Sequence, residues 1–102
     1  AMMHNLMLRV GGDSFKHTYQ RLREFRVAPE KLKAIACPSL ALVGEGEGKE
    51  PLAQSERFCQ SITGPVRQRV FTREEGADGH CQAINLAYSA AVSMDWLDEV
   101  FA

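Results

Sequence analysis

The chain has 102 residues, 45% of them apolar and 25% charged, with a formal net charge of -1. That length holds one domain at most, and the balance is that of a folding chain rather than a disordered one. Lys and Arg are scattered among Asp and Glu, which predicts a solvated surface and neither nucleic acid nor an anionic membrane as partner.

No apolar run approaches the ~20 residues that a transmembrane helix needs. The stretch Met2–Val10 is interrupted by His4, Asn5 and Arg9 and does not read as a signal peptide. Ala1 ahead of Met2-Met3 reads as a tag remnant. Cys37, Cys59 and Cys81 have no framework spacing, which predicts reduced thiols and a cytoplasmic location.

In chain order, residues 1–13 read as a flexible lead-in because Gly11-Gly12-Asp13 breaks any pattern, and residues 14–102 read as a single unit. Asp13 or Ser14 is placed to cap a helix starting at Phe15. Phe15, Tyr19, Leu22 and Phe25 then share one helical face, and Pro29 stops it. Ser39-Leu40-Ala41-Leu42-Val43, bounded by Pro38 and Gly44, is a continuous apolar run of the kind buried on both faces of a sheet. After a glycine-rich acidic loop, Leu52, Ser55, Phe58, Cys59 and Ile62 carry helical spacing up to Gly64-Pro65. Val66 to Thr72 reads as a second strand, with Arg67 and Arg69 blunting an outer edge. The last helix is expected from about Gln82 to Phe101, its stripe formed by Ile84, Ala87, Tyr88, Ala91, Leu97, Val100 and Phe101.

The order is thus α-β-α-β-α, an α/β unit in which strand, helix and strand make a right-handed parallel crossover. Two strands make a poor sheet, and Ser39–Val43 reads as an interior strand with one side unfilled. Three partners suit that edge: a second copy of the chain giving a homodimer, a missing companion polypeptide, or the N-terminal helix folded over it.

The candidate chemistry lies in Glu75-Gly76-Ala77-Asp78-Gly79-His80-Cys81 and, upstream, Leu42-Val43-Gly44-Glu45-Gly46-Glu47. A lone histidine is more often structural. Here it follows a strand and sits among glycines before a helix, where a loop presents an imidazole rather than burying it. With Ile35-Ala36-Cys37-Pro38 before the first strand and Asp95-Trp96-Leu97 in the last helix, residues 35–101 resemble the C-terminal end of an alpha/beta-hydrolase, of the esterase and acylaminoacyl-peptidase branch. The resemblance implies that His80 is the histidine of a serine-hydrolase relay. It also implies that Glu47 is the acid that orients His80, with Glu45 two residues away as the alternative. A carboxylate would fix the ring's tautomer and leave its other nitrogen to take a proton from a serine.

The same resemblance exposes an absence. The family's Gly-x-Ser-x-Gly elbow does not occur, since Gly12-Asp13-Ser14-Phe15-Lys16 lacks the closing glycine. The chain therefore reads as a C-terminal hydrolase fragment, shortened naturally or by design, inactive by itself or completed in trans by a serine-bearing N-terminal hydrolase fragment. The alternative is a non-catalytic, self-associating module. Cys81 reads as a small buried residue at a helix start rather than a nucleophile, because neighbours in sequence rarely face each other. His80, Cys81 and Asp78 are too close in sequence for a zinc-type site, and the loop around Glu45 is too acidic to hold a phosphate, so neither metal nor cofactor is expected. His4 and His17 have no companions and are expected to face solvent.

Overall fold

The structure is a computed structural model that describes all 102 residues. It contains α1 (Met2–Val10), α2 (Phe15–Glu24), a short α3 (Pro29–Leu32), β1 (Ser39–Gly44), α4 (Lys49–Ser61), β2 (Val66–Phe71) and α5 (Leu86–Phe101), with 3-10 turns at Glu45–Glu47 and His80–Gln82. The strands form a two-stranded parallel sheet in register from Ser39 opposite Val66 to Gly44 opposite Phe71. No helix is long and apolar enough to cross a membrane.

The lead-in expected at residues 1–13 is instead helical over Met2–Val10. Gly11-Gly12 does not break that helix but closes it: Gly11 adopts φ 73°, and its amide returns to the Met7 carbonyl. Ser14 caps α2 by accepting the His17 amide at 3.1 Å. Thr18, fully buried, packs where Gly12 has no side chain, so the two helices meet closely. The expected face of α2 is mostly uncovered, however, with Phe15, Tyr19 and Phe25 all exposed.

The body is a β-α-β crossover. The half-buried residues of α4 include Leu52, Ser55, Phe58 and Cys59, with Ile62 buried just after it, as the spacing requires. Gln68 of β2 donates to Ser55 Oγ at 3.0 Å, so α4 covers the sheet face to which the alternate residues Val66, Gln68 and Val70 belong. The opposite face, carrying Arg67, Arg69 and Phe71, meets α5. Both arginines on this outer strand are paired rather than left as free charges. Arg67 pairs with Glu99 at 2.6 Å. Arg69 pairs with Glu75 at 2.6 Å, donates to the Tyr88 hydroxyl at 2.9 Å and lies 5.0 Å over the Phe71 ring. The Arg67–Glu99 pair is exposed, whereas the contacts of half-buried Arg69 give that charge the partners it needs.

The turned-in face of α5 is Tyr88, Ser89, Val92, Ser93, Trp96, Leu97 and Val100, all half-buried. Tyr88, Leu97 and Val100 of the expected stripe lie on this face, whereas Ala87, Ala91 and Phe101 are exposed and Ile84 precedes the helix, which starts at Leu86 rather than Gln82. Asn85 sets that start by accepting the Tyr88 amide.

The core is small. Only seven residues are buried: Thr18, Val43, Gly44, Ile62, Phe71, Ala77 and Gln82. The accessible surface is 7526 Å², against about 5,700 Å² for a compact monomer of this mass. The radius of gyration is 16.4 Å, against about 13 Å. Part of the difference is the α1–α2 hairpin, which packs within itself and makes few contacts with the body.

β1 has β2 on one side and no strand on the other. Ser39 donates to the Pro65 carbonyl at 2.9 Å, so by strand alternation the amides of Leu40, Leu42 and Gly44 point to the open side. Beside that edge runs an open cleft of about 380 Å³, lined by Ala41, Leu42, Val43, Glu47, Pro51 and Phe58 among others. The N-terminal helices do not cover it.

Candidate acid–histidine site

Two loops leave the carboxyl ends of the parallel strands and meet. In open α/β sheets this is the end where crevices form and ligands bind. The approach depends on glycine. A side chain on Gly44 would collide with the Asp78 backbone, and one on Gly46 with the Asp78 carboxylate and carbonyl. With hydrogens there instead, the Gly46 amide donates to the Asp78 carbonyl at 3.1 Å and sews the loops together.

The second loop is tied from its other side. Glu75 accepts from Arg69 and, at 3.0 Å, from the Thr72 amide, while Ala77 is fully buried. The guanidinium and that amide hold the Glu75 carboxyl below the usual carboxylate range.

The 3-10 turn Glu45–Glu47 decides which acid reaches the histidine. It folds its third residue back on the residue before the turn, so Glu47 Oε2 accepts the Gly44 amide at 2.9 Å. Glu47 Oε1 is then directed at His80 Nδ1, 2.7 Å away. Glu45 turns the other way and accepts the Arg73 amide at 2.7 Å, out of the histidine's reach.

The two partners differ in exposure. The Glu47 side chain is 13% exposed and that of His80 is 85% exposed. The Gly44 amide, then the imidazole, hold the Glu47 carboxyl below its ordinary pKa. An ionised carboxylate only accepts, so the proton between them belongs to Nδ1, and in the neutral ring Nε2 carries the lone pair. The arrangement is an oriented base with its working nitrogen outside.

The lowered acid sets a pH dependence. Because the folded value lies below that of the unfolded chain, Glu47 stabilises the fold above the ordinary carboxylate range, and this is lost as pH falls through the folded value. In urea denaturation, Glu47→Gln should be less stable than the parent at pH 7, and the gap should shrink on acidification. A gap independent of pH would mean that the carboxylate's charge is not what matters.

Cys81 departs from expectation. It is exposed rather than buried, and the regular part of α5 starts beyond it. Its backbone lies at φ 55°, ψ 21°, and Gln82 follows at φ 52°. A left-handed position costs a non-glycine residue about 1–2 kcal/mol. In this conformation Cys81 Sγ lies 3.4 Å from His80 Nε2.

The other sulfurs and histidines lie elsewhere. Cys37 is exposed, and burial pushes the Cys59 thiol up. His17 pairs with Asp13 at 2.8 Å, and His4 sits edge-on to Phe15. Asp78 gives its backbone, not its side chain, to the junction with Gly46, and no three His, Cys, Asp or Glu side chains converge as metal ligands. Comparison with protein-family models, curated proteins and solved structures returns no match to this chain.

Proposed function

We propose that Glu47 and His80 are the acid and the base of an acyl-hydrolase site of the alpha/beta-hydrolase kind, in a chain that lacks the family's serine elbow. One observation carries the reading: the 2.7 Å contact of Glu47 Oε1 with His80 Nδ1, at the carboxyl end of a parallel strand pair. The chemistry is ester or amide hydrolysis through an acyl intermediate. Glu47 fixes the tautomer and stabilises the imidazolium, and Nε2 takes and returns the proton.

Alone, the chain is expected to show no steady turnover of an activated ester. A Gly-x-Ser-x-Gly polypeptide that pairs along β1 would complete it, and a serine-directed phosphonate should then label only the mixture. Turnover by the chain alone that disappears in His80→Ala would contradict this reading.

The open side of β1 favours a second reading, a self-associating module. A two-fold axis along Leu40–Leu42 would join two sheets into four strands, antiparallel at the junction, and pair the outward amides. Light scattering at micromolar concentration should then give twice the chain mass, and a clean monomer would count against it.

A further inference from the structure

We propose that Cys81 is a nucleophile served by the Glu47–His80 pair, a thiol that accepts an acyl group from an activated ester or a thioester. The inference rests on the acid–histidine reading and supplies, within the chain, the atom that reading lacks.

The order of atoms is the first ground. Glu47 Oε1 takes Nδ1 at 2.7 Å, and Cys81 Sγ stands 3.4 Å from Nε2, the nitrogen left free. Carboxylate, imidazole and thiol thus form an oriented series, with the base in reach of the nucleophile and held by a third group. A neutral imidazole accepts there, so the S–H points at Nε2 and the proton has a defined destination.

Backbone and exposure are the second ground. Adjacent side chains on regular backbone diverge, which is why sequence argues against a His-Cys pair. The left-handed conformation of Cys81 removes that objection, and both side chains reach solvent. The thiol also sits at the carboxyl edge of the sheet, where an acyl donor approaching from outside meets no covering element.

The step balances without an oxidant or a reductant. Sγ bonds to the carbonyl carbon as its proton passes to Nε2. The bond from that carbon to the leaving oxygen or sulfur breaks, and the leaving group takes the proton from the imidazolium. The products are a thioester on Cys81 and a free alcohol, phenol or thiol. One acyl group is taken per chain, and its release needs an acceptor.

The chain carries its own controls. Cys37 is an exposed thiol with no imidazole beside it, and Cys59 is half-buried on α4. The full chain is treated with p-nitrophenyl acetate at about pH 6.5, some two units below the ordinary thiol pKa, and acetyl groups are located by peptide mapping over time. Cys81 should be acetylated at least ~10-fold faster than Cys37, one group per chain, and His80→Gln should bring it to the rate of Cys37. A slow Cys59 in that variant reports that the fold is intact. Equal rates at Cys81 and Cys37 in the parent chain would overturn the proposal, as would a Cys81 preference that survives His80→Gln in folded protein. The ¹⁵N shifts of the His80 ring, which report the tautomer, separate the two ideas. If they show the Nδ1–H tautomer and Cys81 is unexceptional, only the thiol proposal fails; if they show Nε2–H, the acid–histidine reading fails too.

Discussion

Phe71→Ala is expected to remove most of the chain's stability at room temperature. Phe71 is the largest fully buried side chain, at the carboxyl end of β2. Its ring packs edge-on to Tyr88 at 5.7 Å and lies under the Arg69 guanidinium, so it joins the sheet, α5 and the Glu75 contact. Truncating a buried phenylalanine costs about 3–5 kcal/mol. A chain of this length has roughly 5–15 kcal/mol in total, and one with so few buried residues belongs near the lower end. Urea titration by circular dichroism should show no folded baseline or a very early midpoint. A shift of less than ~1 kcal/mol would mean that the core is organised around something else.

Gly44→Ala should be the second most damaging change, although it adds a single methyl group. That methyl would stand inside the contact distance of the Asp78 backbone, which has no flexible end to swing away. The end of β1 and the histidine loop must then part. Overpacking of this kind costs about 1–3 kcal/mol, and a backbone clash argues for the upper half. Beyond stability, the variant should lose the Nδ1–H tautomer preference of His80 in the ring ¹⁵N shifts, because Glu47 moves with Gly44. Gly79→Ala is the matched control. Its φ is -76°, and the nearest atom to the new carbon is 3.9 Å away, on the flexible end of Ile84. If the two alanines behave alike, close approach of the loops is not what holds the site.

The strands and α4 were legible in the sequence because each declares itself locally, by an apolar run between Pro and Gly or by helical spacing. The failures share a cause, which is that the deciding partner is remote or the backbone irregular. Arg67 and Arg69 look like free edge charges until Glu99, Tyr88 and Glu75 are brought under them. Gly11-Gly12 reads as a break, yet the same glycine freedom closes a helix in the left-handed region. Glu45 and Glu47 cannot be ranked by spacing alone. A 3-10 turn separates them, sending one to Arg73 and the other to His80. Cys81 is the sharpest case, because two successive positive φ values at non-glycine residues leave no mark in composition or periodicity.

Glu47 spends one oxygen on the Gly44 amide, the last outward-facing group of the sheet's free side, and the other on the imidazole. One side chain therefore belongs to two equilibria. Any strand that docks far enough along β1 to claim that amide removes the first cause of the lowered Glu47 pKa. By reciprocity, protonating Glu47 must change the affinity of the docked strand by the same factor.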